Sequence, residues 1–154
     1  MEEKMCPEII ALDLIEGYIG NDERYVYQYP IIMRYLKNKI ANRKITDYLA
    51  QIGCNRVVLY AVTEFTDLLI SDISNESSQM IWSVCDKKAD EFGGVYKGCT
   101  MLNVESMISD YKDKKFDKII VCNIFHANDI VTELVENGIS MDDIVKVIEA
   151  IYWM

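Results

Sequence analysis

Val57-Val58-Leu59-Tyr60-Ala61-Val62-Thr63-Glu64-Phe65-Thr66 is the stretch on which the reading of this chain turns. Its first five residues form a continuous apolar run, the pattern of a strand buried on both faces. A helix is predicted from Thr63 to Asn75, with Phe65, Leu68, Leu69 and Ile73 turned inward at helical spacing. A both-faces-buried strand that runs straight into an amphipathic helix is the opening of a parallel α/β unit.

Downstream the rhythm repeats. Met80 to Asp86 reads as a second strand, and Phe92-Gly93-Gly94 as a loop. Thr100 to Leu102 reads as a short third strand, and Asn103 as the cap of a helix that runs to Tyr111. Lys118 to Cys122 is a fourth, buried strand. Asn128 to Asn137 is helical, with Gly138 where a C-terminal cap belongs. Ile144 to Ile148 suits a fifth strand, although Ser140-Met141-Asp142-Asp143 resembles a helix start and Ile144, Ile148 and Ile151 also fit helical spacing. The strand is favoured because the alternation requires one there. The expected fold is α/β, a three-layer Rossmann-like parallel sheet in the order 3-2-1-4-5 with right-handed crossovers.

Upstream the texture is helical. Pro7 suits a first turn, and Ile9, Leu12, Ile15 and Ile19 recur at helical spacing. Gly20-Asn21-Asp22 reads as a turn. A second helix is expected from about Pro30, and a third from about Thr46, its N-cap, to Ile52. Residues 1–44 are therefore read as an N-terminal helical extension and residues 45–154 as the Rossmann-like domain.

A dinucleotide site in this fold needs G-x-G-x-x-G between the first strand and its helix. Ala61, Thr63 and Thr66 stand at the three glycine positions, and Glu64 adds a negative charge where a phosphate would sit. Two like charges about 4 Å apart repel by roughly 4 kcal/mol at an effective dielectric near 20. No cofactor is expected, and NAD and FAD least of all. Asp86 ends the second strand, 20 residues after Thr66, where an acid that holds a ribose would stand. Thr63, Glu64, Asp86, Asn123 and His126 are the candidate ligand-binding residues. The last two follow the fourth strand, next to the crevice at the switch between strands one and four. His126 is the sole histidine and could pair with Glu64 in acid–base work. No residue is assigned as catalytic.

Val57-Val58-Leu59-Tyr60-Ala61-Val62-Thr63-Glu64 resembles the opening of small Rossmann domains in bacterial surface-polysaccharide proteins. Val84-Cys85-Asp86-Lys87, Phe92-Gly93-Gly94-Val95-Tyr96 and Phe116-Asp117-Lys118-Ile119-Ile120-Val121 follow in the same order. Such domains occur in sugar acyltransferases, where they bind a nucleotide sugar, and at the C-terminal end of some sugar methyltransferases. The resemblance covers roughly residues 45–150. It implies a nucleotide sugar as ligand and a place in polysaccharide biosynthesis. Of the site positions only Asp86 carries over, since all three glycines are replaced. The expectation is a non-catalytic binding or assembly module, and the alternative is a nucleotide or nucleotide-sugar enzyme domain with an altered loop.

Composition narrows the partners. The 154 residues carry a net charge of −9, which argues against nucleic acid. No apolar run approaches the roughly 18 residues of a membrane span. The N-terminus, Met1-Glu2-Glu3-Lys4-Met5, lacks an apolar signal, so a cytoplasmic protein is expected. Cys6, Cys54, Cys85, Cys99 and Cys122 show no metal-ligand spacing; no metal is expected, and free thiols are. Charge is uneven: residues 1–23 sum to −6, 24–56 to +6 and 57–154 to −9. The basic stretch is rich in tyrosine. It is read as an interface that uses Tyr27, Tyr29, Arg34, Tyr35 and Arg43, toward a second copy in a homodimer or an acidic protein.

Overall fold

The computed structural model describes residues 23–77 and 79–153. The helix expected between Pro7 and Ile19 lies outside them. The chain divides between Arg43 and Lys44 into two compact units.

The first unit carries helix α1, Glu23–Ile40. Pro30 lies inside this helix and does not begin it, which corrects the expected start. Ile31, Tyr35 and Asn38 are buried along one face, whereas Tyr27, Leu36 and Ile40 are exposed. Arg34 Nε donates to Asn38 Oδ1 four residues on, at 3.3 Å.

The second unit is an α/β fold. It opens with helix α2, Ile45–Gln51, whose cap residue is Lys44 and not Thr46. Strand β1, Val57–Tyr60, follows, then helix α3, Glu64–Glu76. Strand β2 is Ile81–Cys85, followed by a 3-10 turn at Ala89–Phe92. Strands β3, Val95–Tyr96, and β4, Cys99–Leu102, make a hairpin. Its turn places Lys97 at φ 48° and Gly98 at φ 82°. That backbone matches the twist of the strands it joins. Helix α4 is Val104–Lys112, strand β5 Lys118–Val121 and helix α5 Ala127–Glu136. Strand β6, Ile144–Lys146, leads directly into helix α6, Val147–Trp153.

The six strands are ordered β3-β4-β2-β1-β5-β6. This differs from the expected five-strand order, because the short β3 adds an antiparallel edge where the sequence reading assigned no strand. The other pairings are parallel. β1 lies between β2 and β5, and all four of its residues are buried. Side chains alternate across the sheet. Val58, Tyr60, Cys85, Ile119 and Val121 pack in one cluster with Met107 of α4 and Ala127, Ile130 and Leu134 of α5. Val57, Leu59, Val84 and Ile120, of opposite parity, are fully buried as well. Fully burying one such aliphatic side chain contributes about 1.5–3 kcal/mol. α2 contacts both α3 and α6, and the rings of Tyr48 and Trp153 lie 5.0 Å apart.

The last element corrects the sequence reading in part. The strand expected over Ile144 to Ile148 stops at Lys146, and Val147 already belongs to α6. Ser140 does act as a cap, but of the 3-10 turn Met141–Asp143: its hydroxyl accepts from Asp142 N. Among the described residues no helix is long and apolar enough to cross a membrane.

Candidate functional site

At the carboxyl ends of β1, β2 and β5, side chains stand where the sequence reading looked for glycine. Ala61 leaves β1 with φ 78°, a left-handed conformation that L-residues rarely adopt. Its N–H donates to Cys85 O at 2.7 Å. Its carbonyl accepts a bond from the Thr66 hydroxyl. Thr66 is fully buried, and its Oγ1 also accepts from Thr63 N at 3.0 Å. The third glycine position therefore holds a clamp on the first.

Thr63 is the N-cap of α3. Its hydroxyl accepts from Phe65 N at 3.2 Å, and it forms a reciprocal capping box with Thr66. The same hydroxyl donates to Cys122 O at 3.0 Å, which ties the loop after β1 to the end of β5. That contact spans the switch point where an open α/β sheet receives its ligand. Asp86 takes Val62 N on Oδ2 at 2.8 Å and Lys88 N on Oδ1 at 2.9 Å. The carboxylate that the spacing offered to a ribose instead anchors two backbone segments.

These bonds account for the loop's donors. The amides of Ala61, Val62, Thr63, Phe65, Thr66 and Asp67 all have acceptors within the chain; for Asp67 it is Thr63 O, at 3.3 Å. Only the Glu64 amide stands outside this set, and Glu64 is itself acidic and exposed. A pyrophosphate needs bare amides at a helix N-terminus. Here it would have to displace intrachain acceptors one by one.

Asn123 and His126 lie in the turn between β5 and α5. Asn123 Oδ1 accepts from Phe125 N at 2.9 Å and from His126 N at 3.0 Å, closing the turn before α5. His126 is the exposed N-cap residue of α5 and makes no side-chain capping bond. Among the described residues no hydrogen bond or ion pair joins it to Glu64. Thr63, Asp86 and Asn123 are thus brought to one edge of the sheet, each engaged in hydrogen bonds within the chain.

The thiols nearby are not nucleophiles. Burial, reinforced by the Asp86 charge, pushes the Cys85 thiol up to about 12. Burial likewise pushes Cys122 up to about 12, against a lowering bond from Thr66. A thiolate is the reactive form, so both are inert near neutrality. The Tyr60 phenol is raised by burial and by the charges of Cys85, Glu133 and Asp86; its oxygen is buried without a hydrogen-bond partner, as is Ser83 Oγ. Among the described residues no cluster of histidine, cysteine and carboxylate could hold a metal ion.

Of the residues assigned to an interface, Tyr27 and Arg43 are exposed and Tyr29 and Arg34 half-buried. Tyr35 is 1% exposed and adds nothing to a surface. Its place on the buried face of α1 follows from the i, i+4 spacing with Ile31. Sequence reasoning missed Thr66 as a hydrogen-bonding residue and Cys122 O as its neighbour's acceptor. The signal was present in Thr63 and Thr66, three apart, which is capping-box spacing.

No family model matches the chain, and no curated protein matches it.

Proposed function

We propose that the chain is a non-catalytic Rossmann-like module that acts in binding or assembly. The observation that carries this reading is the closure of the loop after β1: Thr63 to Cys122 O, Thr66 to Ala61 O, and Asp86 to Val62 N. A fold whose ligand crevice is tied shut from within keeps its surfaces for partners. The five parallel strands, read as one Rossmann-like sheet with β3 as an added edge, fit the same view. The link to nucleotide-sugar or surface-polysaccharide metabolism rests on the resemblance at Val57 to Glu64 and the stretches that follow it. The surface offered for assembly is the exposed side of α1, with Tyr27, Leu36 and Ile40, together with Arg43 just beyond it, toward a second copy or an acidic protein.

Titration calorimetry with NAD, FAD and a UDP-sugar tests the ligand half of the proposal. No heat of binding is expected at millimolar ligand. Micromolar affinity for a UDP-sugar would instead favour an enzyme domain with an altered loop. Sedimentation at several salt concentrations tests the assembly half. A homodimer held partly by charge weakens as salt shortens the screening length to about 10 Å and below. A monomer at every salt and protein concentration would contradict the homodimer.

A further inference from the structure

A second concavity lies at the opposite edge of the sheet, before the amino ends of β1, β5 and β6. It has a volume of about 460 Å³, within the usual range of small-molecule sites. Gly53 contributes from the turn ahead of β1, Tyr111, Lys112, Lys114 and Phe116 to Lys118 from the end of α4 and the start of β5, and Asp143 from the turn ahead of β6. A Cβ built on Gly53 would meet no atom within 4 Å, so the space beside it is open.

The charges in this cleft are not evenly committed. Asp117 Oδ2 accepts from Asn55 N at 2.8 Å and Arg56 N at 2.9 Å. Asp143 accepts from the Tyr111 hydroxyl at 2.6 Å and from Lys118 Nζ at 3.0 Å. Both carboxylates, and Lys118 with them, are engaged by the chain. Lys112 and Lys114 are not: both are exposed, and neither ammonium makes a hydrogen bond or ion pair among the described residues. The cleft therefore presents two unpaired cations on a chain whose net charge is −9.

The backbone at Lys114 is a separate observation. α4 ends at Lys112, and Lys114 N donates to Tyr111 O while Lys115 N donates to Asp110 O. That pair of bonds is a Schellman motif, whose left-handed position is normally glycine. Lys114 holds it at φ 58°. Lys114 thus carries a strained backbone at the rim of the cleft. The negative end of α4 opposes an anion, but the Asp113, Lys114 and Lys115 amides occupy three of its last four carbonyls, those of Ser109, Tyr111 and Asp110.

We propose that this cleft is a binding site for a small phosphate-bearing molecule, held by Lys112 and Lys114, with Tyr111 and Gly53 as the wall beside it. The site is independent of the closed crevice at the other edge. Inorganic pyrophosphate, titrated calorimetrically into the full chain at low salt, is the probe. Saturable binding is expected, weakened at least tenfold in the double variant Lys112→Gln with Lys114→Asn. The control Lys88→Gln with Lys146→Gln removes equal charge elsewhere and is expected to change affinity less than twofold. Lys114→Asn alone is expected to raise the melting temperature while weakening binding, because asparagine suits the left-handed position. Absence of binding to the native chain, equal loss in both double variants, or citrate bound as tightly as pyrophosphate would overturn the proposal.

Discussion

Ala61 sits at φ 78°, where a Cβ is strained and glycine is not. The strain costs about 1–2 kcal/mol and is held in place by the Thr66 hydroxyl on the Ala61 carbonyl. Ala61→Gly is therefore expected to stabilise the fold by about 0.5–1 kcal/mol, less than the full strain because glycine also loosens the unfolded chain. A calorimetric scan should show the melting temperature higher by about 2–3 °C; a drop would mean that the alanine methyl is better packed than strained. Thr66→Val removes a buried hydroxyl that both donates to Ala61 O and accepts from Thr63 N. Two backbone groups lose their partner, at a cost of about 2–4 kcal/mol by denaturant titration. Thr66→Ser keeps the hydroxyl and should lose about 1 kcal/mol, mainly the buried methyl.

At the scale of elements, α3 depends on its cap. Thr63→Ala deletes the bond to Phe65 N and the tether to Cys122 O together. The expected cost is about 1–2 kcal/mol, with faster amide exchange in the first turn of α3. Unchanged exchange at Phe65 would show the cap to be dispensable. The sheet was legible because its strands are apolar on both faces: Val57 to Tyr60 and Lys118 to Val121 could belong only to its interior. The cap of α4 was legible too, from Asn103. β3 was not, since Val95 and Tyr96 are two residues inside a glycine-rich stretch and acquire strand geometry only by pairing with Thr100 and Cys99. Pro30 misled because a proline suits a first turn, yet α1 carries it in its interior. At Ile144 to Ile148 both periodicities were present because both elements are: the strand ends at Lys146 and the helix begins one residue later. The hydrogen bonds of the loop after β1 were not legible: they depend on Cys122 O and Val62 N, and backbone groups leave no mark in sequence.

For the whole molecule, the buried thiols set an alkaline limit. Burial raises Cys54, Cys85 and Cys122 from 9.0 to about 12. Between those values the folded chain holds protons that the unfolded chain has released. Stability from these groups is complete below pH 9 and is lost as pH rises toward 12, by up to about 1.4 kcal/mol per unit for each thiol. Urea midpoints measured from pH 8 to 11 should fall progressively above pH 9; a flat profile would contradict the burial of these groups. In the native state Cys99, the half-buried one of the four described thiols, should react first with a disulfide reagent.

On the proposed reading, the loop from Ala61 to Asp67, bonded by the chain's own groups, takes no nucleotide. The most direct measurement is an amide-resolved NMR titration with NAD and with a UDP-sugar, followed at Val62, Thr63, Phe65 and His126. These four signals are expected to stay in place at millimolar ligand. Saturable shifts at Val62 and Thr63 with micromolar affinity would contradict it.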